Sequence, residues 1–132
     1  MAEQHLWLEK AQRSLLGAES EFASQRYDNV ANRAYYACFQ SAVAALIDAG
    51  KRSTGGKGTW SHSVAQAMFS QELIHRRKVY PAELSSILSD VFSLRQQADY
   101  TTTLTSEARA KRTLDKARRF VEAVRDEVME DQ

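Results

Sequence analysis

Apolar residues recur every three or four positions through almost all of this sequence, and no stretch shows the strict alternation of a half-buried strand. Trp7, Ala11, Leu15, Ala18 and Phe22 mark one face of a helix over residues 4–23, opposite Glu9, Lys10, Arg13 and Glu21. A break near Ser24 to Arg26 leads into YDNVANRAYYACFQSAVAALIDAG, residues 27–50, the longest helical pattern with no internal glycine or proline. Its face of Val30, Ala34, Ala37, Ser41 and Ala44 is built of small residues, so another helix can approach closely there. Asp28 or Asn29 can cap its start, and Gly50 suits the left-handed position after its end. A shorter third helix is expected over 63–75, with Val64, Ala67, Met68 and Leu73 as core contacts. Pro81 suits the first turn of a fourth helix over 82–100, whose stripe is Leu84, Ile87, Leu88, Val91, Leu94 and Ala98. The last helix, over 106–129, is capped by Thr105 or Ser106 with Glu107 in its first turn, and its stripe is Ala110, Leu114, Ala117, Val121, Val124 and Val128. Short connections between such helices favour antiparallel neighbours. The pattern predicts an all-α, up-down bundle of four long helices plus a shorter one, in a single domain over residues 1–132.

Composition changes little in this picture. The chain has 132 residues, 43% of them hydrophobic, with five glycines and one proline, which is enough apolar material for a core and too much for a disordered segment. The formal net charge of +1 gives no broad basic footprint, so any phosphate-binding surface must be a local patch. The single cysteine, Cys38, permits no intrachain disulfide and reads as a small core residue in a reducing compartment. The N-terminus lacks the basic and apolar regions of a signal peptide, and no apolar run approaches the length that spans a bilayer. These features predict a soluble protein of the cytoplasm, without a membrane partner.

Candidate chemistry is confined to a few places. Arg33, Tyr36, Gln40, Val43 and Ile47 share a helical strip on the second helix, placing a guanidinium, a phenol and an amide in line. A helix–helix contact with satisfied polar groups is the plain account of that strip, and a ligand site the functional one. The loop GKRSTGGKGTWS, residues 50–61, holds four of the five glycines. Its GGKGT has the wrong order for a nucleotide-binding P-loop, because Gly58 separates Lys57 from Thr59 and a helix precedes it. Lys51, Arg52 and Lys57 can still touch a phosphate backbone. The run His75-Arg76-Arg77-Lys78 matches the negative end of a helix dipole and is also the densest local group of cations. Arg95 and Asp99 stand four apart and can pair. His5, His62 and His75 share no metal-ligand spacing, and no serine–histidine–acid arrangement is legible. No metal and no cofactor is expected. Arg33, Tyr35, Tyr36, Gln40, His62, Arg95, Asp99 and Tyr100 remain as groups suited to phosphates and bases.

The strings NRAYYACFQ, WSHSVAQAMF and LRQQADY, in that order, resemble the HEPN family of small prokaryotic helical domains, and the likeness runs from Leu6 into the last helix. The resemblance implies a helical bundle that dimerises, with the polar strip of the second helix lining a cleft. It further implies a metal-independent ribonuclease, often a toxin paired with a nucleotidyltransferase antitoxin. The family's arginine corresponds to Arg33. Where its histidine should stand, this sequence has Gln40, whose amide does not titrate near neutral pH. Two readings follow. In the first, a homodimer binds nucleotide or RNA, or partners a nucleotidyltransferase, with Arg33 on a phosphate, Gln40 donating a hydrogen bond, Tyr36 and Tyr100 beside them, and Arg95–Asp99 orienting Arg33 or Tyr36. In the second, a working endoribonuclease uses Arg33 and a relocated His62. A purely structural dimer is the third alternative.

Overall fold

The computed structural model describes residues 2–53 and 59–130. The GGKG part of the P-loop-like string, with Lys57, lies outside them. Five helices are described: α1, Glu3–Ala23; α2, Tyr27–Asp48; α3, His62–Met68; α4, Glu83–Tyr100; and α5, Glu107–Glu130. Among the described residues there is no strand, as the 3.6-residue periodicity predicts. No described helix is long and apolar enough to cross a membrane.

The helix α2 is the axis, packed against each of the other four. The reason is compositional. Thirteen of its side chains are buried, most of them alanine or other small residues, so neighbours approach from several sides. The stripe Val30, Ala34, Ala37, Ser41 and Ala44 is completely buried within this one chain, where α1 makes the most extensive contact with α2. Contacts between helix ends establish the directions. Tyr27 donates to Glu107 at 3.0 Å and the Thr105 N–H donates to Asp28 at 2.9 Å, placing the starts of α2 and α5 side by side. Asn32 reaches Asp99 at 3.1 Å, bringing the end of α4 to the start of α2. With α1 folded back on α2 through a short turn, the long helices run up, down, up, down. Phe120, Phe69 and Tyr80 stack in the core between α5 and the segment after α3, each such burial contributing about 1.5–3 kcal/mol.

Local signals differ from expectation in two places, at the start of α2 and in the third helix. Asp28 does not cap α2; the helix begins at Tyr27, and the carboxylate of Asp28 instead accepts from Thr105, ordering the approach to α5. Of the two caps proposed for α5, Ser106 is the one that accepts, from the Arg109 N–H at 3.2 Å. The third helix does not stay α-helical: Phe69–Arg76 continues it as a π-helix. Ala65, Phe69, Leu73 and Ile74 fill the core, while the expected contact Ala67, two residues from both Ala65 and Phe69, is exposed. Gly50 is left-handed as expected, at φ +83°, and the Lys51 and Gly50 N–H groups return to the Leu46 and Ile47 carbonyls at 2.9 Å each.

Candidate functional site

The strip on α2 divides into two groups with Tyr36 between them. Arg33 leans toward α1 and lies over Gly17: a Cβ built on that glycine would stand 3.4 Å from the Arg33 Nη1. Arg33 is exposed and makes no hydrogen bond or ion pair among the described residues. Its field is felt by Glu21, whose carboxyl is held below its ordinary range mainly by a hydrogen bond from Arg26, with Arg33 a minor cause. Gln40 also faces α1. One edge of its amide lies 2.7 Å from Ser14 Oγ, 3.1 Å from the Lys10 carbonyl and 3.2 Å from the Tyr36 carbonyl. Carbonyls only accept, so that edge is the NH2, and both its protons are used inside the protein. With the NH2 edge turned to α1, the other polar atom of the amide is its acceptor oxygen.

The second group lies on the flank of α2 toward α3 and α4. Tyr35 is buried, and its hydroxyl meets His62 Nδ1 at 2.5 Å. His62 opens α3, whose first turn is capped by Ser61 accepting from the Val64 N–H at 3.4 Å. The imidazole stacks on Phe39 with centroids 4.2 Å apart and meets the Tyr36 ring edge-on at 5.9 Å. Arg95 of α4 places its guanidinium carbon 5.1 Å from the Tyr35 ring and 5.7 Å from the Tyr36 ring. Such cation–π contacts hold the cation over the ring faces. Asp99 anchors Arg95 from below, Nε to Oδ2 at 3.2 Å, and is itself held by Asn32. That Arg95 Nε is buried and the ion pair is not aligned as a hydrogen bond, so charge rather than direction holds it. Of the two roles expected for the Arg95–Asp99 pair, orienting Tyr36 fits these contacts; Arg33 touches neither residue. Tyr100, next to Asp99, is 70% exposed at the end of α4 and makes no described ring contact.

The electrostatics follow from burial. Tyr35 has its phenol raised to about 12, first by burial and against the opposing pull of Arg95, so it stays protonated. Burial lowers the pKa of His62 and Arg95 lowers it further, which favours the neutral ring. The bond to Tyr35 occupies Nδ1, and its direction follows the tautomer of the ring. Burial also raises the Cys38 thiol far above its ordinary range, which keeps it unreactive. Among the described residues no group of histidine, cysteine and carboxylate side chains could hold a metal ion.

Tyr35, Tyr36, His62, Arg95 and Asp99 thus form one contact cluster on the flank of α2 toward α3 and α4, while Arg33 and Gln40 lie toward α1. Sequence reasoning did not find Gly17, Ser14, Asn32 or Phe39. Gly17 carried a signal, since a lone glycine inside a helical pattern marks a close approach. Asn32 and Phe39 stand inside the string NRAYYACFQ, but nothing in their spacing reveals what they touch.

The class these observations define is an all-α bundle whose central helix exposes Arg33 and carries Tyr36, against whose ring an arginine of α4 is stacked. Residues 4–127 match the family model of the HEPN domain, and the chain belongs to that family. Two similar proteins come from Methanocaldococcus jannaschii. One, named "Putative toxin MJ0142", is 31% identical over 97 residues, which are 74% of this chain and 61% of that protein. The match therefore spans less than two thirds of that relative's length. The other, named "Putative toxin MJ0605", is 29% identical over 119 residues, 89% of this chain and 83% of its own.

Proposed function

We propose that this chain is a toxin-type HEPN protein that binds RNA on the exposed side of α2, as part of a toxin–antitoxin pair in the cytoplasm. The observation that carries the reading is Arg33: a solvent-facing guanidinium with no partner among the described residues, set beside the Tyr36–Arg95 stack. Arg33 takes a phosphate, and Arg95, whose terminal nitrogens make no described hydrogen bond, takes a second. Tyr36 and the exposed Tyr100 offer ring surface to bases. The oxygen of Gln40, the amide atom not turned to α1, accepts from a ribose 2′-hydroxyl, the group that distinguishes RNA from DNA. A nucleotide alone would use the same phosphate and base contacts. The names of the two relatives support the toxin assignment, and a nucleotidyltransferase is the antitoxin partner the family implies. The protein acts as a homodimer through a surface other than the small-residue stripe, because that stripe is occupied by the chain's own helices.

Binding without strong cleavage is the favoured form. Gln40 cannot titrate, and losing a general acid–base group costs about 10²–10⁴-fold in rate. One observation favours the alternative of a metal-independent endoribonuclease: His62 stands in the same cleft with its imidazole neutral near pH 7. Incubation of purified protein with labelled total RNA and a chelator separates the two. We expect no cleavage by the wild type and activity in Gln40→His. Cleavage by the wild type that disappears in both Arg33→Ala and His62→Ala would instead establish the relocated histidine.

A further inference from the structure

The cleft around Tyr36 is shallow, and a larger cavity lies elsewhere. At the C-terminal end of α2 an open cavity of about 520 Å³ is lined by Ile47, Gly50, Lys51, Arg52 and Trp60, with Glu3 the one acidic residue in its wall. Trp60 is half-buried and packs against the main core, so its indole is held in place. Ile47 belongs to the same helical strip as Arg33, Tyr36 and Gln40, which means the cavity opens on the side of α2 that carries the candidate site. Lys51 is fixed by Glu72 at 2.7 Å, and Glu72 is also held by Arg76 at 2.7 Å, so the carboxylate is neutralised twice over. These two cations hold the Glu72 carboxyl below its ordinary range. Arg52 is exposed and has no hydrogen bond or ion pair among the described residues. The carbonyls that end α2 are closed by the turn at Gly50 and by Arg77, which donates to the Ala49 carbonyl at 3.1 Å, so little negative charge faces the cavity from the helix end.

A fixed indole, an apolar floor and an unpaired guanidinium are the components that hold one nucleotide of a single strand: a ring for the base and a cation for its phosphate. We propose that this cavity is a second contact for single-stranded RNA, with a base stacked on Trp60 over Ile47 and the neighbouring phosphate on Arg52. It rests on the reading that the Arg33 cleft binds RNA. The two contacts are fourteen residues apart on α2, about 21 Å along the helix axis. A single strand lying along α2 therefore reaches both only when it is several nucleotides long, and length dependence becomes the signature of the second contact.

The test uses the Trp7→Phe protein, in which Trp60 is the sole tryptophan, titrated with uridine monophosphate, a diuridylate and a twelve-residue oligouridylate. The twelve-residue strand is expected to quench Trp60 fluorescence. Arg52→Glu should weaken its binding about tenfold while leaving diuridylate binding unchanged. Arg33→Ala should weaken both ligands. Arg52 is a surface residue, so its variant keeps the fold, which circular dichroism verifies; Trp60→Leu, which leaves no tryptophan to read and is followed by the anisotropy of a fluorescently labelled strand, gives a second, independent loss. Unchanged binding of the long strand in Arg52→Glu and Trp60→Leu, with loss in Arg33→Ala, would overturn the second contact and leave the RNA-binding proposal standing. Quenching by the monophosphate at the affinity of the long strand would also overturn it, because the cavity would then hold a free nucleotide. Loss in Arg52→Glu with none in Arg33→Ala would keep this contact and remove the cleft. Failure of every RNA to bind would remove both.

Discussion

Tyr35 and His62 share one hydrogen bond, and that bond decides which ring nitrogen the imidazole can offer. The buried phenol meets Nδ1 at 2.5 Å, leaving Nε2 for other partners. Because burial and Arg95 both disfavour the charged ring, an NMR titration should place the His62 pKa below the ordinary histidine value. Arg95→Ala should raise it; no change would mean that the guanidinium does not act on the ring. The consequence for stability has a definite sign. The unfolded chain binds the His62 proton more readily than the folded one, so this contribution is present above the ordinary histidine pKa and is lost as pH falls through it. Thermal unfolding of the wild type should lose stability faster than His62→Gln as pH falls below about 6.5. At Gln40, the acceptor oxygen predicts that Gln40→Leu narrows the difference between RNA and DNA affinity, as measured by competition binding. The pairing of Arg95 with Asp99 was legible from their spacing of four, whereas the contact of Arg95 with Tyr36 joins two helices and leaves no mark in either pattern. Which atom of Gln40 faces α1 was not legible, because it depends on the carbonyl of Lys10, a residue on another helix whose rotation no pattern reveals.

Among elements, α2 carries the most sequence-readable information, and its packing yields two stability predictions. Gly50 adopts φ +83°, where an L side chain is strained, so Gly50→Ala should lower stability by about 1–2 kcal/mol in chemical denaturation. Ala37 is wholly buried in the small-residue face, so Ala37→Leu should cost about 1–3 kcal/mol through overpacking. An Ala37→Leu protein of wild-type stability would contradict that packing. The positions of the long helices could be read from periodicity within a residue or two because each buries a stripe. The π-helical continuation of α3 could not. Its hydrogen bonds reach one residue further than in an α-helix, and the sequence records only that Phe69, Leu73 and Ile74 must be inside. Ala67 lies before that segment, on the face of α3 opposite Ala65 and Phe69. The π-helix is followed by Lys78 at φ 55°, a left-handed turn at a residue without glycine's freedom.

At the scale of the whole molecule, the bundle order follows from short connections and from end-to-end contacts such as Asn32–Asp99 and Tyr27–Glu107. These tie the rim of the candidate cleft to the same helix ends that define the topology, so the site is a property of the fold and not of one loop. The small-residue stripe, a natural reason to expect a partner helix from a second copy, is covered from within; the buried α1–α2 seam satisfies it. The proposed homodimer would therefore use other surface, and light scattering at high concentration tests it, with a monomer as the contrary result. The central claim is that Arg33, unpaired on the outside of α2, binds an RNA phosphate. Fluorescence anisotropy of a labelled single-stranded RNA, measured across a salt series for the wild type and Arg33→Ala, addresses it most directly. The account predicts salt-dependent binding that weakens in Arg33→Ala, with the slope of log affinity against log salt falling by about 0.7 for one lost phosphate contact. Equal affinity and equal slope in the two proteins would contradict it.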